Sequence, residues 1–200
     1  MDKDHRPDEV TEVDRERDFP SATRILMRPA VSSAIYRAAL GTYGKACLGF
    51  LFGLEEERNA PRFDFALTGV VMHTFEGVDY VERLRDLEAL LPVARRFAKE
   101  IDKGLLGIWA AWPADTVEEG DAHLSALTGF ATSAGISWVL EAPTDGWETI
   151  LGLRVFCVQD FPRRALPYRK TKRRVYGSKD NPRRIGAMWK KTLGRDIGSS

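Results

Sequence analysis

The spacing of apolar and polar residues changes period several times along the chain, and each change marks a predicted element. Thr23 to Met27 reads as a short strand, and Pro29 opens the next segment. Val31, Ile35, Ala38 and Ala39 recur at helical spacing, which predicts a helix over 30–43 that stops at Gly41 or Gly44. Ala46 to Leu54 is an uninterrupted apolar run of nine residues with glycine at 49 and 53. That length suits a buried strand better than a helix. After a polar turn, Phe63, Phe65 and Leu67 alternate with Asp64 and Ala66, and Val70 to Met72 continue the pattern. This is a second long strand, bent at Gly69.

Between Asp79 and Ile101 the period becomes helical. Leu84, Leu87, Leu91, Ala94, Phe97 and Ile101 form one stripe, with Glu82, Arg85, Glu88, Arg95 and Lys99 elsewhere. Pro92 must kink this helix or divide it in two. Leu105 to Trp112 is another apolar run of strand length. Thr116 and Glu119 have capping-box spacing ahead of Leu124, Leu127 and Phe130, so a helix begins there and ends near Gly135. Trp138 to Leu140 and Leu151 to Val158 complete the strands. The order is β-α-β-β-α-β-α-β-β. Consecutive strands imply antiparallel pairing and the helices interrupt them. The expected class is α+β, with an α/β-like alternation: a mixed, largely antiparallel sheet flanked by helices.

Charge alters this picture at both ends. The formal net charge is only +1. Residues 2–18, however, carry eight acidic and four basic side chains, whereas residues 161–200 carry thirteen basic and two acidic ones. The expected organisation is a disordered acidic arm over 1–20, a globular domain over 21–160 and a basic, extended tail over 161–200. At 200 residues the chain can bury roughly 70% of its unfolded surface, so folding needs neither disulfide nor metal. Cys47 and Cys157 each sit in an apolar run and read as buried free thiols. The first 18 residues are too charged for a secretory signal, and no apolar run approaches the ~20 residues that span a bilayer. A soluble, cytoplasmic protein with no membrane contact is expected.

The order of elements, together with Gly49-Phe50-Leu51-Phe52-Gly53 and Gly107-Ile108-Trp109-Ala110-Ala111-Trp112-Pro113, resembles the MPN (JAB/JAMM) domain family over about residues 23–158. The resemblance implies a sandwich of the MPN and cytidine-deaminase kind. Catalytic members of that family are zinc isopeptidases. A Gly-x-x-His-x-His-Pro strand supplies two ligands, a Ser-x-x-Asp segment a third, and a Glu ahead of the glycine-bracketed strand is the general base. Laid on this chain, Gly107 and Pro113 fit. The histidine positions fall on Ala110 and Trp112, the serine on Gly120 and the third ligand on His123, or on Asp121 with a shorter loop. The base falls on Ala46, beside Lys45. Alanine has no lone pair and the indole nitrogen only donates, so these positions cannot assemble a catalytic zinc site. The resemblance therefore implies a pseudoenzyme with no cofactor and no metal, acting as a scaffold subunit that pairs with other proteins, including another MPN-like domain.

Several other residues are candidates for chemistry. Asp115, Glu118, Glu119, Asp121 and His123 crowd the predicted helix start. They suit either an acid–base or divalent-metal site or acids placed at the positive end of the helix dipole. His5 and His73 have no nearby Cys or second His. Trp109 and Trp112 are expected to project from one face of their strand, as pocket fillers or as core. In the tail, Arg163, Arg164, Arg169, Lys170, Lys172, Arg173, Arg174, Lys179, Arg183, Arg184, Lys190, Lys191 and Arg195 are interleaved with Tyr168, Tyr176 and Trp189. Guanidinium groups on phosphate and rings on bases suit RNA or another nucleic acid. An acidic protein surface is the other partner this composition suits.

Overall fold

Pro29 sets the first boundary, because it ends a strand and starts a helix within two residues. The computed structural model describes residues 25–41, 47–56, 60–71, 80–113, 117–144, 152–159, 165–171 and 178–197. Strand β1 (Ile25–Met27) leads into helix α1 (Pro29–Gly41), followed by β2 (Cys47–Glu56) and β3 (Ala60–Val71). The predicted long helix is divided, as α2 (Tyr80–Ala89) and α3 (Leu91–Glu100), with Pro92 in the first turn of α3 where no amide donor is missed. Then come β4 (Gly104–Pro113), α4 (Val117–Ser133), β5 (Trp138–Thr144) and β6 (Arg154–Cys157). Helix α4 closes at Gly135, whose φ of 64° is the left-handed geometry glycine tolerates. Strand β7 (Tyr168–Lys170), a single 3-10 turn and helix α5 (Pro182–Ile197) complete the described chain.

Among the described residues the strands form one sheet in the order β6-β5-β4-β2-β3-β1-β7. The class is α+β with a mixed sheet, as expected. The pairs β2–β3, β2–β4 and β5–β6 are antiparallel, whereas β4–β5, β1–β3 and β1–β7 are parallel. Val155 of β6 bridges Leu166, two residues before β7, so the two ends of the strand order meet and the sheet is nearly barrel-shaped. Phe63 of β3 and Trp138 of β5 touch edge to face across the concave side, with centroids 6.4 Å apart. Helix α1 fills that side with Val31, Ile35 and Ala39. Helices α2 to α5 cover the other side, where Leu87, Phe97, Leu127 and Trp189 pack on Phe50, Phe52 and Ile108.

Two breaks in the register of β3 decide which residues enter which core. Phe52 pairs with Phe65 and Gly53 with Phe63, so Asp64 is an extra residue on β3. The strict alternation read from the sequence would put Phe63 and Phe65 on one face. The bulge instead sends Phe63 to the α1 side and Phe65 to the side of α2–α5. The second break skips Gly69, between Leu48–Val70 and Gly49–Thr68, where the sequence predicts a bend. A Cβ there would press on Leu87, Phe50 and Leu90 at 3.1 to 3.4 Å.

The expected extended tail needs correction over its described residues. Strand β7 joins the sheet beside β1, and α5 is part of the fold. Asn181 caps the helix, its side-chain oxygen accepting the Arg183 amide at 3.0 Å, with Pro182 at the first position. Ile185 and Trp189 are buried, with Met188 and Leu193 packed beside them. Trp189 meets Phe97, Phe50 and Phe52 at 5.1 to 6.0 Å. Its indole donates to the Thr68 carbonyl at 2.8 Å, next to the Gly69 bulge. Composition misled here because four apolar residues at helical spacing suffice to dock an otherwise basic helix. No helix of the described residues is long and apolar enough to cross a membrane.

Trp189→Ala is expected to cost about 3–5 kcal/mol of unfolding free energy. Trp189→Phe, which keeps the ring contacts and loses the bond to the part-buried Thr68 carbonyl, should cost about 0.5–1.5 kcal/mol. Urea unfolding followed by circular dichroism measures both. A loss below about 0.5 kcal/mol for the alanine variant is the surface-substitution range and would take α5 off the core.

Candidate functional site

The antiparallel register of β2 and β4 brings together the positions that the sequence singled out. Cys47 lies opposite Ala111 and Leu48 opposite Ala110, so the start of β2 adjoins the end of β4. Because β4 and β5 are parallel, α4 is their crossover and starts where β4 ends. Ala110 is fully buried, Gly120 is buried in the first turns of α4, and His123 is half-buried one turn further on. These positions therefore present a methyl group, a bare backbone and one imidazole. Ala46 and Asp115 lie outside the described residues, as do His5 and His73. Glu118 and Glu119 begin α4, and Asp121 is exposed on it. Among the described residues, no group of three His, Cys, Asp or Glu could share a metal ion.

Trp109 is a core residue, and its position explains the glycine on the strand between it and Leu67. Gly49 pairs with Trp109 across β2 and β4. The indole lies over that glycine and donates to the Leu67 carbonyl of β3 at 3.3 Å, fully buried. A Cβ at Gly49 would collide with both the carbonyl and the ring. The expectation that Trp109 and Trp112 share a face does not hold. Side chains on a strand alternate, and positions 109 and 112 have opposite parity. Trp109 and Ala111 enter the α1-side core while Ala110 enters the other. Position 112 is opposite Pro143 of β5.

The strongest electrostatic feature is one that the sequence alone did not single out. Asp64, the bulge residue, has no solvent exposure. Its Oδ1 meets Arg28 Nε at 2.6 Å and Arg62 Nε at 3.1 Å, and its Oδ2 meets Lys103 Nζ at 3.3 Å. Asp180 approaches the same Arg28 and Lys103, at 3.9 and 3.7 Å. The end of β1, the middle of β3, the entry to β4 and the segment before α5 thus converge on one carboxylate. A second buried acid, Glu141 of β5, lies in register with Ala110 and takes Arg154 Nη2 at 2.7 Å. A lone acid inside an apolar strand was the signal for each. These are structural ion pairs, since every partner belongs to the sheet or its connections.

The basic residues divide into three groups. Arg169 and Lys170 are exposed on β7, and Lys179, Arg183, Arg184, Lys190 and Lys191 are exposed at or on α5. Trp189, expected to stack on a ligand, is 2% exposed and belongs to the core. Arg163, Arg164, Lys172, Arg173, Arg174 and Tyr176 lie outside the described residues, and the side chain of Arg195 does too. Tyr168 is half-buried; burial, and then Tyr36 beside it, raise its hydroxyl above the usual tyrosine value. Cys47 is buried and Cys157 half-buried, both as free thiols.

No family model matches the chain, and no curated protein matches it. Among solved structures it is similar to a protein from Salinibacter ruber known from a solution structure, at 13% sequence identity and a TM-score of 0.44. That match covers 76% of this chain and 97% of the other. A likeness this loose carries neither fold nor function from one protein to the other.

Asp64→Asn removes the charge that three cations share, and is expected to cost about 3–5 kcal/mol. Asp180→Asn, whose side chain is 35% exposed, should cost under about 1 kcal/mol. Chemical unfolding of both variants checks the contrast, and equal costs would remove Asp64 from the centre of the network.

Proposed function

We propose that this is a catalytically inactive MPN-like protein that works by binding, as a scaffold or interaction subunit of a larger assembly. The observation that carries the reading is the register of β2 against β4. The strand that starts just after position 46 adjoins the end of β4, next to the start of α4, which is the arrangement the resemblance requires. The residue chemistry there supports inactivity: Ala110 and Gly120 offer no lone pair, and His123 alone cannot hold a catalytic zinc. On this reading the chain works through its surfaces rather than through a reaction.

A second reading has its own support. The exposed cations on β7 and those on α5 suit phosphates, so RNA binding is the alternative function. With Trp189 in the core, they act by charge and not with the tryptophan of α5.

Elemental analysis of the full chain is expected to find far less than one zinc per chain, and a chelator should leave the unfolding midpoint unchanged. Stoichiometric zinc would contradict the proposed inactivity. If the alternative holds with some six phosphates contacted, log affinity for single-stranded RNA falls with log salt at a slope of about −4 to −5. A complex from the native source that survives high salt and nuclease favours the scaffold reading, and one dissolved by either favours RNA.

A further inference from the structure

Strand β3 pairs with β2 along its length, but β1 covers its other edge only at Arg62 and Phe63. The cause is in the sequence. Pro29 ends β1 and turns the chain into α1, so beyond Phe63 no strand among the described residues lies on that edge. A groove of about 740 Å³ runs there, floored by residues 65–69 and walled by α1 and α5. Its walls carry small side chains: Ala30, Ala34 and Ala38 on one helix, Gly186 and Ala187 on the other. Arg37, Arg183 and Lys190 also line it, all three exposed, and among the described residues no acid does.

We propose that this groove takes an extended acidic segment of a partner protein, added to β3 as a further strand. An open edge offers backbone amides and carbonyls to a chain that runs alongside it. Here the Leu67 and Thr68 carbonyls are already held by the Trp109 and Trp189 indoles, so the added strand pairs with the remaining groups of residues 65–69. The five residues of β3 that floor the groove span about 16 Å. Alanine and glycine walls leave room for a peptide's side chains, and the three cations, with no acid among the described lining residues, select for carboxylates. An RNA strand fits less well, because the floor is apolar strand and the Trp189 ring is packed against Phe50, Phe52 and Phe97 rather than presented as a stacking platform. The inference stands apart from the MPN-like reading, since it uses neither the ends of β2 and β4 nor the absence of zinc ligands.

The test is fluorescence anisotropy with the full chain and a labelled octapeptide of alternating valine and glutamate. Binding is expected, at least tenfold tighter than for the valine–lysine counterpart, and abolished by a central proline that removes a backbone donor. A Cβ at Gly186 would meet no atom within 4 Å, so Gly186→Phe blocks the groove while the fold is kept. It should weaken binding at least tenfold, as should Arg183→Glu combined with Lys190→Glu. Lys170→Glu, on β7 outside the groove lining, should change affinity less than twofold. Absence of binding overturns the proposal, and so does binding that Gly186→Phe leaves intact or that Lys170→Glu weakens equally. An octauridine that displaces the peptide would assign the groove to nucleic acid and overturn it. Binding that appears only after the acids of residues 2–18 are changed to amides would assign the groove to the chain's own arm, which also overturns it.

Discussion

One tryptophan from each side of the sheet hydrogen-bonds to adjacent carbonyls of β3. Trp109 crosses Gly49 from the concave side to reach Leu67, and Trp189 comes from α5 on the other side to reach Thr68. The Gly69 bulge lies beside both. Each indole combines a large apolar surface with one donor, and each finds a carbonyl of β3. The Leu67 bond is buried and the Thr68 bond part-buried, and each is worth about 0.5–1.5 kcal/mol net. The glycines at 49 and 69 are therefore conditions for the packing of both layers.

The charged residues obey the same arrangement. Asp64 is the residue that the first bulge adds, and it is held by cations from three places that the sheet brings together. A buried carboxylate is tolerated only with such partners. The C-terminal segment, although strongly basic, is attached by apolar residues and by Asp180, its acid next to this network. Its cations consequently remain on the outside, along α5 and at the rim of the β3 groove. The segregated charge of the sequence becomes a charged wall on the domain.

Most elements up to β6 were legible because their apolar spacing is clean and their boundaries carry Pro29, Pro92 or Gly135. The bend at Gly69 was legible for the same reason. The bulge at Asp64 was not, since a strand with an inserted residue has the same sequence pattern as one without it until its partner is known. The separation of Trp109 from position 112 comes from counting parity along β4. Helix α5 was missed because its charge masked Ile185, Met188, Trp189 and Leu193. Composition reports on a segment's average, whereas docking needs only one face. The groove was invisible in sequence because it exists only where β1 stops short of β3.

Both the basic surface and the groove depend on α5 being a wall of the domain. Hydrogen exchange of the full chain measures that directly. The backbone amides of residues 185–193 are expected to exchange with the slowest protection class, together with β2 and β4, because Trp189 leaves its core only when the sheet opens. Exchange of those amides at the rate of an unstructured chain, while β2 and β4 stay protected, would contradict the account.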